Sequence, residues 1–410
     1  MTAQNVSILL APKDRFPPFR VDVTVLFARE LATRGYTIDW VLQSEKDVPA
    51  AYQTEYGGGT AWVAPTDNGH SLLRRLRKHL LGLRHDFKLL PLARARKYDV
   101  IQVKDKILAA LIGLRAARKT GAAFVYWLSF PFPESSLYLA RIGSARYPLL
   151  YRVRGWLLFH VLYRMALPRA DHIFVQSEQM KRDLAGYGID PAKMTAVPMG
   201  VEMADFADAP EPTRAPGSPV IAYLGTLAGE RRIDFVVRAF AHVCREIPDA
   251  KLLLVGDGDR PGDVADIRKE AQRLNVLDRV EITGFLPRPV ALQRITAAAV
   301  CLSPFFPTPI LNSTSPTKLI EYMALGLPVV ANDHPEQQLV LSESRAGLCV
   351  PYDEKAFATA IINIVRAPEE ALAMGRRGRE YAAKYRDYKH IATRVDDVYQ
   401  RLVDVRRTRS

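Results

Sequence analysis

Hydrophobic and polar positions along this chain fall into two alternating rhythms. Short, largely apolar runs at 6–10, 37–42, 99–103, 123–126, 220–224, 251–255, 297–302 and 327–331 have the length of strands. Between them lie stretches with helical spacing. Val23, Phe27 and Leu31 give 21–35 a core face and Gly35 ends it; further helices are predicted over 109–119, 235–246 and 391–403, the last with a Val395, Val398, Leu402 stripe. Strand, helix, strand in repetition predicts doubly wound α/β units. The stretch 208–219, DAPEPTRAPGSP, is too rich in proline to join a ladder and reads as a linker between two of them. At 410 residues the chain is long enough for two such domains.

Residues 312–333, NSTSPTKLIEYMALGLPVVAND, are predicted to form a polar loop, a short helix and a buried strand. Ser315 fits the N-cap with Pro316 at the first helical position, where a missing N–H costs nothing. Leu319, Ile320, Met323 and Ala324 supply a packing face, and Gly326 stands where the helix stops. The unpaired N–H groups of Thr317 and Lys318, with the Lys318 ammonium, make an anion site suited to phosphate. Glu321, one turn on, can accept two hydrogen bonds from a ribose diol. The plainer alternative is a surface helix with an i,i+3 ion pair. Apolar strands on both sides favour the first reading, because they aim the helix start at the carboxyl edge of a parallel sheet, where open α/β sheets bind ligands.

This stretch resembles the donor-binding motif of family 4 glycosyltransferases, retaining enzymes of the GT-B fold. That motif has two glutamates separated by seven residues and then Met-Ala-x-Gly-x-Pro-Val-Val; the Ser-Pro-Thr-Lys-Leu-Ile-Glu-Tyr-Met-Ala version resembles a subgroup associated with bacterial cell-surface polysaccharides. The resemblance covers nearly the whole chain and is strongest over 170–201 and 220–350. It implies an α/β protein of two Rossmann-like domains facing each other across a cleft. Residues 1–210 would bind the acceptor, 220–388 the nucleotide sugar, and a helix over 389–410 would return to the first domain.

Residue by residue, the resemblance gives Glu321 the nucleotide ribose. The family's first glutamate, which contacts the donor sugar, falls on Ser313; sugar recognition must then rest on other groups, with Asn312, Ser313 and Thr314 as candidates beside Ser315, Pro316 and Thr317. In the loop after 220–224, GTLAGERRID, Arg231 takes the place of the family's diphosphate-binding lysine and Thr226 that of its arginine, with Arg232 as a substitute cation. Gly225 and Gly256 end the neighbouring strands on the donor side. Arg231 and Lys318 would stabilise the departing diphosphate in a front-face transfer. No carboxylate stands where a nucleophile is needed, and neither a divalent metal nor a cofactor is expected. The triplet Asp257-Gly258-Asp259 looks like a metal signature of another glycosyltransferase fold but is a common end for a parallel strand.

On the acceptor side, Ser129 stands near the place where the family often has a histidine. Trp127 and Phe130 offer sugar-stacking or lipid-contacting faces, or else simple packing, and Glu134 can accept a proton. Arg20, in a loop of prolines rather than glycines, either donates to a phosphate or stands solvated at a helix start.

A formal charge of +13 calls for an anionic partner: phosphorylated substrate, membrane or nucleic acid. In 71–96, Leu72, Leu76, Leu80, Leu83, Phe87 and Leu90 keep helical spacing, with Arg74, Arg75, Arg77, Lys78, Arg84 and Lys88 between them. Such a helix either lies in a membrane interface or packs its leucines on the sheet. The apolar stretch 147–167 is interrupted by arginines and suits a helix partly buried and partly at a membrane surface. No apolar run reaches the ~20 residues of a spanning helix. With no evident secretory signal and three cysteines lacking metal spacing, the expectation is a cytoplasmic protein, peripheral on the inner membrane, with a glycan or polyprenyl-diphosphate-linked acceptor. A sugar-nucleotide epimerase, a phosphorylase and a non-enzymatic sugar- or nucleic-acid-binding protein are the alternatives. The bases lie among leucines rather than aromatic stacking platforms, which argues against nucleic acid.

Overall fold

The computed structural model describes residues 5–69, 71–208 and 217–408, without the side chains of Leu72 and Arg75. Most of the predicted linker therefore lies outside the described residues. The chain forms two compact units: unit 1 runs up to Pro198 and resumes at Tyr388, and unit 2 is Met199–Asp387.

Unit 1 holds β1 (Ser7–Pro12), β2 (Arg15–Phe16), β3 (Thr37–Ser44), β4 (Tyr52–Tyr56), β5 (Gly59–Ala64), β6 (Val100–Lys104), β7 (Ala123–Leu128), β8 (His172–Val175) and β9 (Met194–Ala196). They form one sheet in the order β4-β5-β3-β1-β6-β7-β8-β9, with β2 beside β3. Every pairing is parallel except the hairpin β4–β5, which turns at Gly57-Gly58 with both residues at positive φ.

A parallel sheet must be covered on both faces, and the period of two sorts its side chains accordingly. Leu9, Ile101, Val103, Phe124 and Tyr126 enter one apolar cluster, while Ile8, Leu10, Val100, Val125 and Trp127 enter the other. The second face is covered by helix Asp22–Leu31 and by the C-terminal helix Tyr388–Arg407, whose Ile391, Val395, Val398 and Tyr399 join the same cluster. Trp127 is 1% exposed there, with Phe27 and Phe174 against its ring at 5.1 and 4.9 Å. The sugar-stacking role expected of Trp127 is thereby corrected: it is a core residue, fixed there by its parity with Val125.

The leucine-rich stretch 71–96 is two helices, Leu72–Asp86 and Leu89–Ala95. The break follows from two buried polar residues that draw the chain inward: His85 Nε2 lies 3.0 Å from the Trp62 carbonyl, and Asp86 accepts from Lys106 Nζ at 2.6 Å. Of the stripe, Leu76, Leu80 and Phe87 remain exposed and do not pack on the sheet, and Leu73 beside them is exposed by 80%.

Unit 2 holds β10 (Val220–Leu224), β11 (Lys251–Val255), β12 (Val280–Ile282), β13 (Val300–Ser303), β14 (Val329–Asn332) and β15 (Gly347–Val350), all parallel, in the order β12-β11-β10-β13-β14-β15. The chain builds from β10 outward to β12, then returns to β13 and builds the other way. The switch of direction opens a crevice between the carboxyl ends of β10 and β13, the usual ligand position in such sheets.

Candidate functional site

Two loops and one helix meet at that crevice. The motif helix, Thr317–Ala324, follows β13 and packs Leu319, Ile320, Tyr322 and Met323 against Ala222, Leu253, Cys301 and Val329. Its start differs by one residue from the sequence expectation. Pro316 is the N-cap, with φ −74° and ψ 107°, and Thr317 is the first helical residue. Ser315 Oγ does not cap the helix; it accepts from the Met199 N–H at 3.0 Å, tying the loop to the first residue of the unit. Gly326, at φ 73°, closes the helix as expected.

The loop after β10 begins at Gly225, and the loop after β11 at Gly256. Both have φ that L side chains rarely adopt, +145° and +149°, and a Cβ on Gly256 would meet the Gly225 carbonyl oxygen at 2.0 Å. A Cβ on Gly225 would meet Lys318 Nζ at 3.0 Å. Glycine is required at both places so that backbone and ammonium can approach.

Lys318 Nζ donates to the Tyr223 hydroxyl at 2.7 Å and lies 4.0 Å above that ring and 5.6 Å from the Phe305 ring centre. Desolvation, then the like charge of Arg231, hold its pKa well below that of an ordinary lysine; Glu321 offsets this only in part. Arg231, in a turn over Gly229–Arg231, places its guanidinium 6.0 Å from the same Phe305 ring. Among the described residues neither Lys318 nor Arg231 forms an ion pair. Arg232 is in the left-handed region at φ 53°, pairs with Asp234 at 3.5 Å and lies 5.4 Å from the Phe306 ring.

Glu321 does not pair with Lys318. Its Oε1 accepts from Arg288 Nε at 3.0 Å, and Arg288 also holds Asp205 at 2.8 Å. Ser313 is buried, with its hydroxyl donating to the Pro309 carbonyl, and Thr314 donates to the Leu311 carbonyl at 2.6 Å. These hydroxyls close the short helix Pro309–Asn312, of which Asn312 is the last residue. Thr226 offers its carbonyl to the Tyr223 hydroxyl at 3.2 Å. In the neighbouring loop Asp257 bonds the Gly258 N–H, and Asp263 accepts from the N–H groups of Asp259 and Arg260, so the acidic triplet serves the turn.

The carboxyl edge of unit 1 is built differently. Lys104, with a side chain 0% exposed, contacts Asp14 at 3.0 Å, Asp22 at 3.3 Å and Asp105 at 3.6 Å. Arg20 pairs with Asp22 at 3.1 Å and Asp14 at 3.7 Å and donates to Ser129 Oγ at 3.4 Å. Burial alone lowers the Lys104 pKa, but Asp22, Asp105 and Asp14 outweigh it and the net shift is upward. Burial alone raises that of Asp22, and Lys104 with Arg20 reverses it. Arg20 is thus neither the solvated arginine nor the open phosphate donor expected from the sequence. Ser129 is buried and bonds Asp105 through both its N–H and its hydroxyl. Phe130 packs edge-on against Phe132 at 5.1 Å, and burial raises the pKa of Glu134, which lies beside Tyr163 and Tyr187.

Tyr223, Phe305 and Arg288 are the site residues that sequence reading passed over. An aromatic inside an apolar run carries no sign of its hydroxyl's partner, and Arg288 reaches Glu321 from 33 residues away.

Two parallel sheets of this kind, each under its own helices, are the GT-B architecture. The chain superposes on sucrose-phosphate synthase from Thermosynechococcus elongatus with a TM-score of 0.71 at 22% identity, covering 98% of this chain and 100% of that one. For Anabaena HepE in complex with UDP the values are 0.69 and 13%, covering 96% and 100%. A family model described as Glycosyltransferase Family 4 matches residues 22–205, and one described as Glycosyl transferases group 1 matches 218–367. The chain belongs to the family 4 glycosyltransferases. It is 26% identical over 294 residues to alpha-monoglucosyldiacylglycerol synthase of Streptococcus pneumoniae (68% of this chain, 62% of that protein). It is 26% identical over 315 residues to 2-deoxystreptamine glucosyltransferase of Streptomyces kanamyceticus (74% and 78%). The alignments span 62% and 45% of the length of the first two curated relatives.

Proposed function

We propose that the protein is a retaining glycosyltransferase that binds a nucleotide-sugar donor in unit 2 and moves its sugar to a glycan or polyprenyl-diphosphate-linked acceptor. The observation that carries this reading is the pair of cations at the β10/β13 crevice, Lys318 and Arg231. They lie beside the start of the motif helix and, among the described residues, have no carboxylate spent on them. A diphosphate supplies the missing negative charge, with the N–H groups at the helix start as further donors. As the sugar leaves, charge grows on that diphosphate. A preorganised lysine, arginine and helix dipole then stabilise the transition state more than the ground state. In a front-face transfer the leaving phosphate takes the acceptor proton, so the site needs neither a metal nor a cofactor. Glu321, held by Arg288, is assigned the donor's ribose in this reading.

The acceptor belongs to a membrane surface in this reading. Helix Pro148–Phe159 exposes Leu149 (by 73%), Leu150, Val153, Trp156 and Leu157, with Arg152 and Arg154 among them. The Arg154 charge is felt by His79 on helix Leu72–Asp86, so the two apolar and basic surfaces are neighbours on one unit. Leucines flanked by bases fit an anionic leaflet. No helix of the described residues is long and apolar enough to cross a membrane.

The test is direct. Wild-type protein should transfer sugar from one of a panel of nucleotide sugars to an extracted membrane lipid, with the anomeric configuration retained. Free nucleotide-sugar interconversion without transfer would overturn the assignment in favour of an epimerase. Sedimentation with anionic but not neutral vesicles, lost at high salt, is expected of the surface; equal binding to both would remove it.

A further inference from the structure

Tyr223 and Tyr322 stand on either side of the β10/β13 crevice, and each reaches into the element that carries the other. Tyr223, on β10, belongs to the apolar cluster of Ile221, Leu252, Leu302 and Val330. Tyr322, on the motif helix, belongs to the cluster of Ala222, Leu253, Cys301 and Val329 on the opposite face. Both side chains are fully buried. The paired register of β10 with β13 ends at Ala222 and Cys301, so beyond it the two strands diverge. The Tyr322 hydroxyl fills that gap: it accepts from the Leu224 N–H at 2.8 Å and lies 3.3 Å from the Leu302 carbonyl. From the other face, the Tyr223 hydroxyl donates to the Thr226 carbonyl at 3.2 Å and accepts from Lys318 Nζ at 2.7 Å. Its one proton being taken by the carbonyl, it presents only lone pairs to the lysine.

We propose that Tyr223 and Tyr322 form a reciprocal latch whose work is to hold the Lys318 ammonium, and with it the start of the motif helix, against the Gly225 loop in the position that receives the donor diphosphate. They are positioning residues, acting through Lys318 and the helix rather than on the sugar. The latch explains three separate features: a tyrosine where β10 needs only an apolar side chain, a glycine where a Cβ would crowd both Lys318 Nζ and the Tyr223 hydroxyl, and a lysine kept as a donor while desolvated. The groups facing that ammonium are Tyr223 from β10, Arg231 from the following turn, Phe305 from the loop after β13 and Glu321 from its own helix. Among the described residues, Tyr223 is the one that offers it a hydrogen bond.

This inference rests on the diphosphate reading above, and the experiment separates the two. Binding of whichever of UDP, GDP and ADP the wild type takes up is measured by calorimetry across pH for wild type, Lys318→Ala, Tyr223→Phe and Tyr322→Phe. Thermal melting confirms that each variant is folded. Tyr223→Phe keeps the ring and loses only the hydroxyl. It should weaken binding by roughly tenfold or more, and should move to lower pH the point at which affinity starts to fall, since Lys318 then gives up its proton more readily. Tyr322→Phe, which leaves the Leu224 N–H unpaired, should weaken binding by a smaller factor with the pH midpoint unmoved. Should Lys318→Ala bind as tightly as wild type, the diphosphate reading and the latch fall together. Should Lys318→Ala bind weakly while Tyr223→Phe matches wild type in affinity and pH midpoint, the latch alone is overturned.

Discussion

Each unit carries a lysine at the carboxyl edge of its parallel sheet, and the two are treated oppositely. Lys104 in unit 1 is surrounded by Asp14, Asp22 and Asp105, and its pKa is pushed up; Lys318 in unit 2 faces two aromatic rings, a hydroxyl and another cation, and its pKa is pushed down. Even the acid on its own helix, Glu321, is engaged by Arg288. A buried cation that the fold neutralises belongs to the scaffold. One that the fold leaves uncompensated keeps its capacity for a ligand.

The comparison is tested most severely by removing each lysine. Lys104→Met removes the cation shared by three buried carboxylates, leaving Asp14 and Asp22 with Arg20 alone and Asp105 with no ion pair among the described residues. It should cost about 3–5 kcal/mol of stability in denaturant unfolding, whereas Lys318→Met should stay within about 1 kcal/mol of wild type or exceed it. Equal losses would erase the distinction. In transfer assays the order reverses: Lys318→Ala and Arg231→Ala should each lower turnover roughly 100- to 1000-fold with the fold intact.

The pH dependence of stability has opposite signs for the two lysines. Asp22, lowered from 3.8, stabilises above that value and loses its contribution as pH falls through its folded pKa. Lys104, raised above 10.5, stabilises below 10.5 and loses its contribution as pH climbs through its folded pKa. For Lys318 the unfolded chain binds the proton more tightly, so stability should rise with pH from its folded value towards 10.5, and bound nucleotide should reduce that slope. Thermal midpoints recorded across pH, with and without nucleotide, separate these cases. A smaller effect than loss of either cation is expected of Glu321→Ala, which should weaken nucleotide binding by roughly tenfold through two lost hydrogen bonds to a ribose; unchanged affinity in calorimetry would withdraw that role.

Much of this is legible in the chain. The apolar runs at 220–224 and 251–255 are β10 and β11, and Gly326 closes the motif helix where the sequence predicts its end. Parity along β7 assigns Trp127 to the core once it is counted with the strand rather than with the aromatic turn, because Ala123, Val125 and Trp127 share one face. The one-residue shift at Ser315 arises because Ser-Pro is a good cap pair locally, while the competing partner, the Met199 N–H, is 116 residues away. The leucine stripe of 71–96 has the right period for a helix, but periodicity gives a face and not what covers it.

The amino-acid sequence by itself determined the two doubly wound sheets and the motif helix with its closing glycine, because both depend on near neighbours: strand length, helical period, and a glycine or proline at a helix end. The tertiary structure alone decided which charges are free to act. Lys104 meets Asp14 across 90 residues and Lys318 meets Tyr223 across 95, and in a medium of low dielectric the sign of a pKa shift is set by such distances in space.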